Sequence, residues 1–432
     1  MKLFGFKNGA FCKRGISVVL VSMMLVSGFS GCGRRADNEN SSDSSGASSS
    51  SASTEFDQEA PEVKEKTEKI EKIIDDKFYF DKDAKKQEES YYDGIMEGLD
   101  DPYSRYYTKE EYDRMKEDDA GSFSGIGATV QQDVDSKQVS IVSPIKDSPA
   151  EKSGLKPGDI ILKVGDTEIT KDMDLDYVVS LIRGEKGTTV VLKVYREKEK
   201  KELEFSIVRD VIKTYTIESK VLDKNIGYIS VSQFINTTEA DFKAAVDDMV
   251  SKNVDGLILD LRSNPGGFVA SSTSMADYLI EDALLADGAS KEGLLLQTKD
   301  KDDKIVDEIC CKDGHSVDIP MVILVDKNTA SSAEIFTGIM RDYKKATIIG
   351  TKTYGKGIVQ EVIPLDDGSA IKITISEYYI PSGETVHKVG IEPDIELEYE
   401  YLASETDAEE ESTEYDEMKD NQILEAIKVL TK

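Results

Sequence analysis

The hydrophobic rhythm of the chain changes several times, and each change marks a different element. Residues 15–29, GISVVLVSMMLVSGF, form one short apolar run. Residues 36–60 are Ser-rich and nearly free of large apolar side chains, the composition of a spacer that cannot bury a core. From Pro61 the charges mix densely, and Val63, Ile70, Ile73 and Ile74 recur at helical spacing. A second helical stretch, EESYYDGIMEGL, is halted by Pro102. Residues 121–210 then alternate over short distances: GSFSGIGATVQQ, QVSIVSPI, DIILKVGDTEI and TTVVLKVYR read as strands between glycine and acidic turns. SPAEKSGL and LDYVVSLIRG read as helices among them. From 211 to 395 strands and helices take turns, from IGYISVSQF and TEADFKAAVDDMV through DGLILDLRSN and MVILVDK to ASSAEIFTGIMRDY and ATIIG. Such alternation predicts a layered α/β core. In the last segment Ile423, Ile427 and Leu430 share a helical face.

The expected architecture is therefore multidomain α/β: a targeting segment at 1–32, a linker at 33–60 and a helical region at 61–118. A β-rich domain at 119–210, the α/β core at 211–395, an acidic linker at 396–417 and a final helix at 418–432 complete it. A chain of 432 residues is too long for one compact core, which agrees with this division.

Charge narrows the function. The formal net charge is −31, so the chain cannot present a general phosphate-neutralising surface, and nucleic acid is excluded as a general partner. Lys13 and Arg14 ahead of the apolar run describe an export signal. Phe29-Ser30-Gly31-Cys32 is similar to a bacterial lipobox, in which Cys32 would be lipidated; an uncleaved anchor is the other reading. Either places the remaining chain outside the cytoplasm, tethered to a membrane. Cys310 and Cys311 are adjacent, which is not zinc-site spacing, and they read as a vicinal disulfide or as two thiols.

Four stretches carry candidate chemistry. Ser331 and Ser332 begin the helix of NTASSAEIFTGIMRDY, where free N–H groups and the positive dipole end would stabilise an oxyanion beside a nucleophile. A serine there also reads as an ordinary N-cap. Gly266 and Gly267 follow a buried strand in LILDLRSNPGG, where the backbone could approach a ligand closely. GTKTYGKGIVQ fits most of a phosphate-binding loop, yet Gly357 stands where Ser or Thr would hold magnesium. The sequence after it is β-branched and interrupted by Pro364, so the helix a phosphate needs is not expected. Lys356, between two glycines and apolar neighbours, can instead lose its charge by desolvation and serve as a base. Histidine is scarce, with only His315 and His387 present, which favours that reading. Finally, Gly125-Ile126-Gly127 enters a strand and could aim its amides at a terminal carboxylate, with Val178 and Leu181 on the facing helix.

Together these stretches resemble the carboxyl-terminal processing peptidases, or tail-specific proteases, over residues 90–395. GLDDPYSRYYT looks like the family's lead-in, and SPAEKSGLKPGDIILKVGD is similar to a PDZ domain. GYISVSQF, LDLRSNPGG, NTASSAEI and YGKGIVQ resemble the core motifs in the family's order. The resemblance implies a serine endopeptidase with Ser331 as nucleophile, Ser332 being the rival hydroxyl. Lys356, 25 residues on, would be the base and Gln360 the residue orienting it. On a regular strand, positions 356 and 360 would lie about 13 Å apart, so this pairing needs a bend. The N–H of Ser332 with that of Gly266 or Gly267 would form the oxyanion hole. The resemblance also implies no metal or other cofactor, substrates with apolar C-terminal tails read by the PDZ domain, and dimerisation through terminal helices. Arg183, ending the tail-binding helix, could link tail binding to the protease. A non-catalytic PDZ adaptor is the alternative, and would need neither Ser331 nor Lys356 at this spacing.

Overall fold

A computed structural model describes residues 56–134, 136–402 and 415–432. Cys32, the apolar run at 15–29, most of the Ser-rich linker and the centre of the acidic linker lie outside the described residues. Among those described, no helix is long and apolar enough to cross a membrane. The chain divides into two compact units, residues 1–88 and 89–432. In the first, Pro61 occupies the opening turn of the helix Pro61–Lys77, where its missing N–H costs nothing. Ile70 and Ile73, on its apolar stripe, are exposed.

The second unit is built on a six-stranded sheet. Its strand order is Ile217–Leu222, Ile226–Val231, Gly256–Asp260, Met321–Val325, Ala346–Gly350 and Ile395–Glu396. All neighbours are parallel except the first pair. The central strands GLILD and MVILV are buried at every position, which explains their unbroken apolar sequences. Helices Thr238–Ser251, Val269–Leu279 and Ser332–Asp342 join one core, centred on Phe234, Phe242 and Phe336. The helix Asn421–Leu430 buries Ile423, Ala426 and Ile427 in a separate cluster with Ile258, Val322 and Ile349, so it covers the opposite face. That cover is tied down by Arg262, which donates to Asp420 at 2.7 Å and to Gln422 at 2.9 Å while also gripping Asp260.

A second sheet lies in the same unit. In it Ala370–Tyr379 pairs antiparallel with Arg105–Tyr107, Leu294–Lys299 and Ile358–Pro364. The strand at 105–107 falls within the region expected to be helical, just past the break at Pro102. Of its residues, RYY, the two tyrosines are β-formers, and three positions are too few to show a period. Cys310 and Cys311 are free thiols. Burial, then the Asp277 carboxylate, pushes the Cys311 thiol up to about 12, so it stays protonated.

The β-rich domain has its own core, including Ile126, Ile141, Val178, Leu192 and Val194. Its strands run Ala128–Gln132, Val139–Pro144, Ile160–Val164, Thr189–Arg196 and Lys201–Val208. The chain enters through Ser122–Gly125 and leaves through Asp210–Lys213, and these two strands pair antiparallel as a stem. Ala128–Gln132 has a partner on one side only, leaving an open edge near the helix Leu175–Ile182.

Candidate active site

Three loops at the carboxyl ends of adjacent parallel strands converge, the position where sheets of this kind place their sites. They span 261–267, 326–332 and 351–357, and hydrogen bonds sew them together. Thr329 Oγ1 donates to Leu261 O at 2.9 Å, Ala330 N to Asn264 O at 2.9 Å, and Tyr354 N to Thr329 O at 3.0 Å. Asn264, fully buried, closes the glycine turn by donating to Val231 O and accepting the Gly266 N–H at 2.8 Å.

Ser331 sits at the N-cap of the helix Ser332–Asp342 with φ 56° and ψ −121°, in the half of conformational space that side chains avoid. Ser331 and Glu334 form a capping-box pair, in which the Glu334 carboxylate accepts the Ser331 N–H at 2.9 Å. The N-cap reading therefore stands, and the strained backbone in addition fits a residue held for its function. Ser332 differs: it is buried, and its hydroxyl donates to Gly267 O at 2.7 Å. Ser332 thus spends its hydroxyl proton on the scaffold, whereas the Ser331 hydroxyl has no acceptor for its proton among the described residues.

Glu334 organises the site. It is fully buried, and its carboxylate accepts four bonds. Thr353 Oγ1 and Gly355 N reach Oε1 at 2.5 and 2.7 Å, while Ser331 N and Lys356 N reach Oε2 at 2.9 and 2.8 Å. Tyr378, also fully buried, donates its hydroxyl to Ser331 O at 3.1 Å and to Lys356 O. The main chains of Ser331 and Lys356 are thus bound to the same two side chains.

The flanking glycines explain how Lys356 is placed. Gly355 has φ 89°, and a Cβ there would press on the backbone of 388–390. A Cβ on Gly357 would lie 2.4 Å from His387 N. Only glycine on both sides lets the 387–390 backbone pack so closely. Lys356 is half-buried with its Nζ 4.7 Å from the centre of the Tyr103 ring. Burial first, then the Lys372 charge, lowers its ammonium pKa to about 8 against the pull of Asp101 and Glu334. The segment after it is the strand Ile358–Pro364, not a helix, so there is no phosphate-binding helix start.

The backbone bends where Gln360 requires it: the pairing register shifts between Val359 and Gln360. The Gln360 amide nevertheless points to Ile358 O and Thr374 Oγ1, each at 3.4 Å, rather than to the lysine amine. Around the oxyanion position, the N–H of Gly266 is taken by Asn264. Those of Gly267 and Ser332 have no partner among the described residues. His315 is engaged elsewhere, stacked on Tyr278 with Nδ1 at 2.6 Å from Tyr278 O. His387 Nδ1 is buried without a partner, and its ring makes no bond to Ser331 among the described residues.

In the β-rich domain, Gly127 has φ 75°, and a Cβ there would lie 2.4 Å from Ser148 Cβ. Gly125 closes the stem opposite Asp210 and lies beside Arg183 Cγ. Ile126 and Val178 are buried in the domain core, while Leu181 is half-buried on the helix beside the open edge. Arg183 stacks 5.0 Å from the Phe123 ring and pairs at 3.6 Å with Asp118 outside the domain.

Residues 225–397 match peptidase family S41, and residues 124–207 match the PDZ domain. The "Carboxy-terminal processing protease CtpA" of Bacillus subtilis is 36% identical over 75% of this chain and 67% of its own. The chain belongs to this family of carboxy-terminal processing proteases. The "Probable CtpA-like serine protease" of Staphylococcus haemolyticus is 38% identical over 75% of this chain, which spans 62% of that relative's length. Among solved structures, the "photosystem II D1 C-terminal processing protease" aligns with TM-score 0.47 and 28% identity, covering 78% of this chain and 88% of that one.

Sequence reasoning missed Glu334 and Tyr378. Glu334 left a trace, since S-x-x-E ahead of an apolar run is capping-box spacing. Tyr378 left none.

Proposed function

We propose that the chain is a serine endopeptidase using a Ser331–Lys356 dyad. The observation that supports this best is the shared Glu334 carboxylate, which fixes a strained serine and a half-buried lysine to one anchor. Neutral Lys356 accepts the Ser331 hydroxyl proton as Oγ attacks the scissile carbonyl. The tetrahedral oxyanion is received by the free N–H groups of Ser332 and Gly267, in the positive field of the helix start. Collapse releases the new C-terminal fragment as an amine, protonated from Lys356. Water, deprotonated by the same lysine, then hydrolyses the acyl-enzyme. Gln360 swings from Thr374 to orient the lysine when substrate is bound.

Substrates are proteins or flexible chains with apolar C-termini. Their carboxylate is met by the amides around Gly125, Ile126 and Gly127, and the tail adds to the open edge of Ala128–Gln132 beside Leu181, with Val178 packed beneath it in the core. Arg183 links that groove to Asp118. The export-signal pattern and Cys32 support placement on the outer face of a bacterial membrane, and the exposed terminal helix 61–77 supports a homodimer. An adaptor that binds tails without cutting them would not need the Glu334 anchor. The test is cleavage of an unfolded protein by the chain and by Ser331→Ala: wild-type fragments with none from the variant support the dyad, and equal fragmentation rejects it.

A further inference from the structure

The turn at 100–104 lies outside both matched stretches, residues 124–207 and 225–397, yet it supplies two side chains around Lys356. The centre of the Tyr103 ring lies 4.7 Å from Nζ. Asp101 is locked by three donors: Ser104 Oγ at 2.6 Å, Thr374 Oγ1 at 2.6 Å and Tyr103 N at 3.1 Å. These bonds and Lys356 lower its carboxyl pKa in spite of burial, so the carboxylate is charged. The turn is also fixed from behind. Ser104 Oγ accepts Thr374 N at 3.1 Å, and Arg105–Tyr107 continues as a strand paired with the one carrying Tyr378. Thr374 is in turn the residue that Gln360 touches.

Building on the proposed dyad, we propose that this turn is a positioning element for the catalytic lysine, with Tyr103 its roof against water and Asp101 its counter-charge. The two act in opposite directions. An aromatic ring over an amine removes water that would solvate the ammonium, which favours the neutral form, although its face also attracts a cation. A carboxylate nearby favours the ammonium. The other groups facing Lys356 are Lys372, which disfavours the charge, and Glu334, which favours it. Too little shielding leaves the lysine protonated at working pH; too little counter-charge lets it drift from its place as its proton is gained and lost.

The experiment is the pH dependence of kcat/KM for a protein substrate, using the full chain with Tyr103→Ala, Tyr103→Phe, Asp101→Asn and, as control, Lys356→Ala. Tyr103→Ala should move the acid limb to higher pH by about one unit, reducing the rate at pH 7 about tenfold and restoring it in alkali. Tyr103→Phe keeps the ring and should keep the limb. Asp101→Asn should move it the other way, to lower pH. A lower plateau with an unmoved limb in both Tyr103→Ala and Asp101→Asn would show a merely structural turn and overturn the proposal. If Lys356→Ala itself retains activity, it is the dyad that fails, and the limb belongs to another group.

Discussion

The backbone N–H groups of Ser331 and Lys356 donate to the same oxygen, Glu334 Oε2, at 2.9 and 2.8 Å. Two residues from different loops are thereby registered to within one atom, before any contact between their side chains. Glu334→Gln keeps the shape but replaces one acceptor oxygen with an NH2 that faces donors. Unsatisfied buried donors should cost about 2–4 kcal/mol. Urea denaturation should show that loss, and kcat should fall at least about tenfold because the dyad loosens.

The neighbouring serines should separate cleanly. Ser332→Ala removes only the bond to Gly267 O, worth about 1 kcal/mol, and should leave most of the activity. Ser331→Ala should remove it at a stability cost of at most about 1 kcal/mol, because the Ser331 N–H bond to Glu334 in the capping box is kept. Parallel melting curves and peptide cleavage rates check both. Activity surviving in Ser331→Ala and lost in Ser332→Ala would move the nucleophile by one residue.

What the sequence carried and what it did not follow from range. Strands such as MVILV and the helix beginning at Ser331 are set by local pattern, and the glycines beside Lys356 advertise a close approach without saying to what. The partner of that approach is the 387–390 backbone, and nothing local to Gly357 points there. Tyr378 and Asp101 reach the dyad from strands and turns distant in the chain. A tyrosine in AIKITISEYY reads only as a strand residue. Gln360 could be placed on a bent strand, but the direction of its amide depends on Thr374 across the sheet.

Tail reading has its own signature. Peptides ending in a free apolar carboxylate should be cut faster than their amides by the native chain. Gly127→Ala should erase that preference, because φ 75° is strained for alanine and the new Cβ would meet Ser148. A matched acid and amide series measures it. Equal cutting of both by the native chain would reject carboxylate recognition and leave the serine chemistry untouched.

The closing helix should matter for stability. Asp420 both caps the helix Asn421–Leu430, accepting from Gln422 N at 2.8 Å and Ile423 N at 3.1 Å, and holds Arg262. Asp420→Ala should cost about 3 kcal/mol, and Asp420→Asn less, because Asn still caps. Thermal denaturation of the two variants gives the ordering.

The most direct measurement is the pH–rate profile of the native chain beside the double variant His315→Gln, His387→Gln. A neutral lysine base requires activity to rise with pH through about 8, the lowered pKa of Lys356, because protonated lysine cannot accept the serine proton. The account predicts that limb in both proteins, with most of the rate retained when the histidines are gone. A limb near the ordinary histidine value of about 6.5, abolished together with activity in a folded double variant, would contradict it.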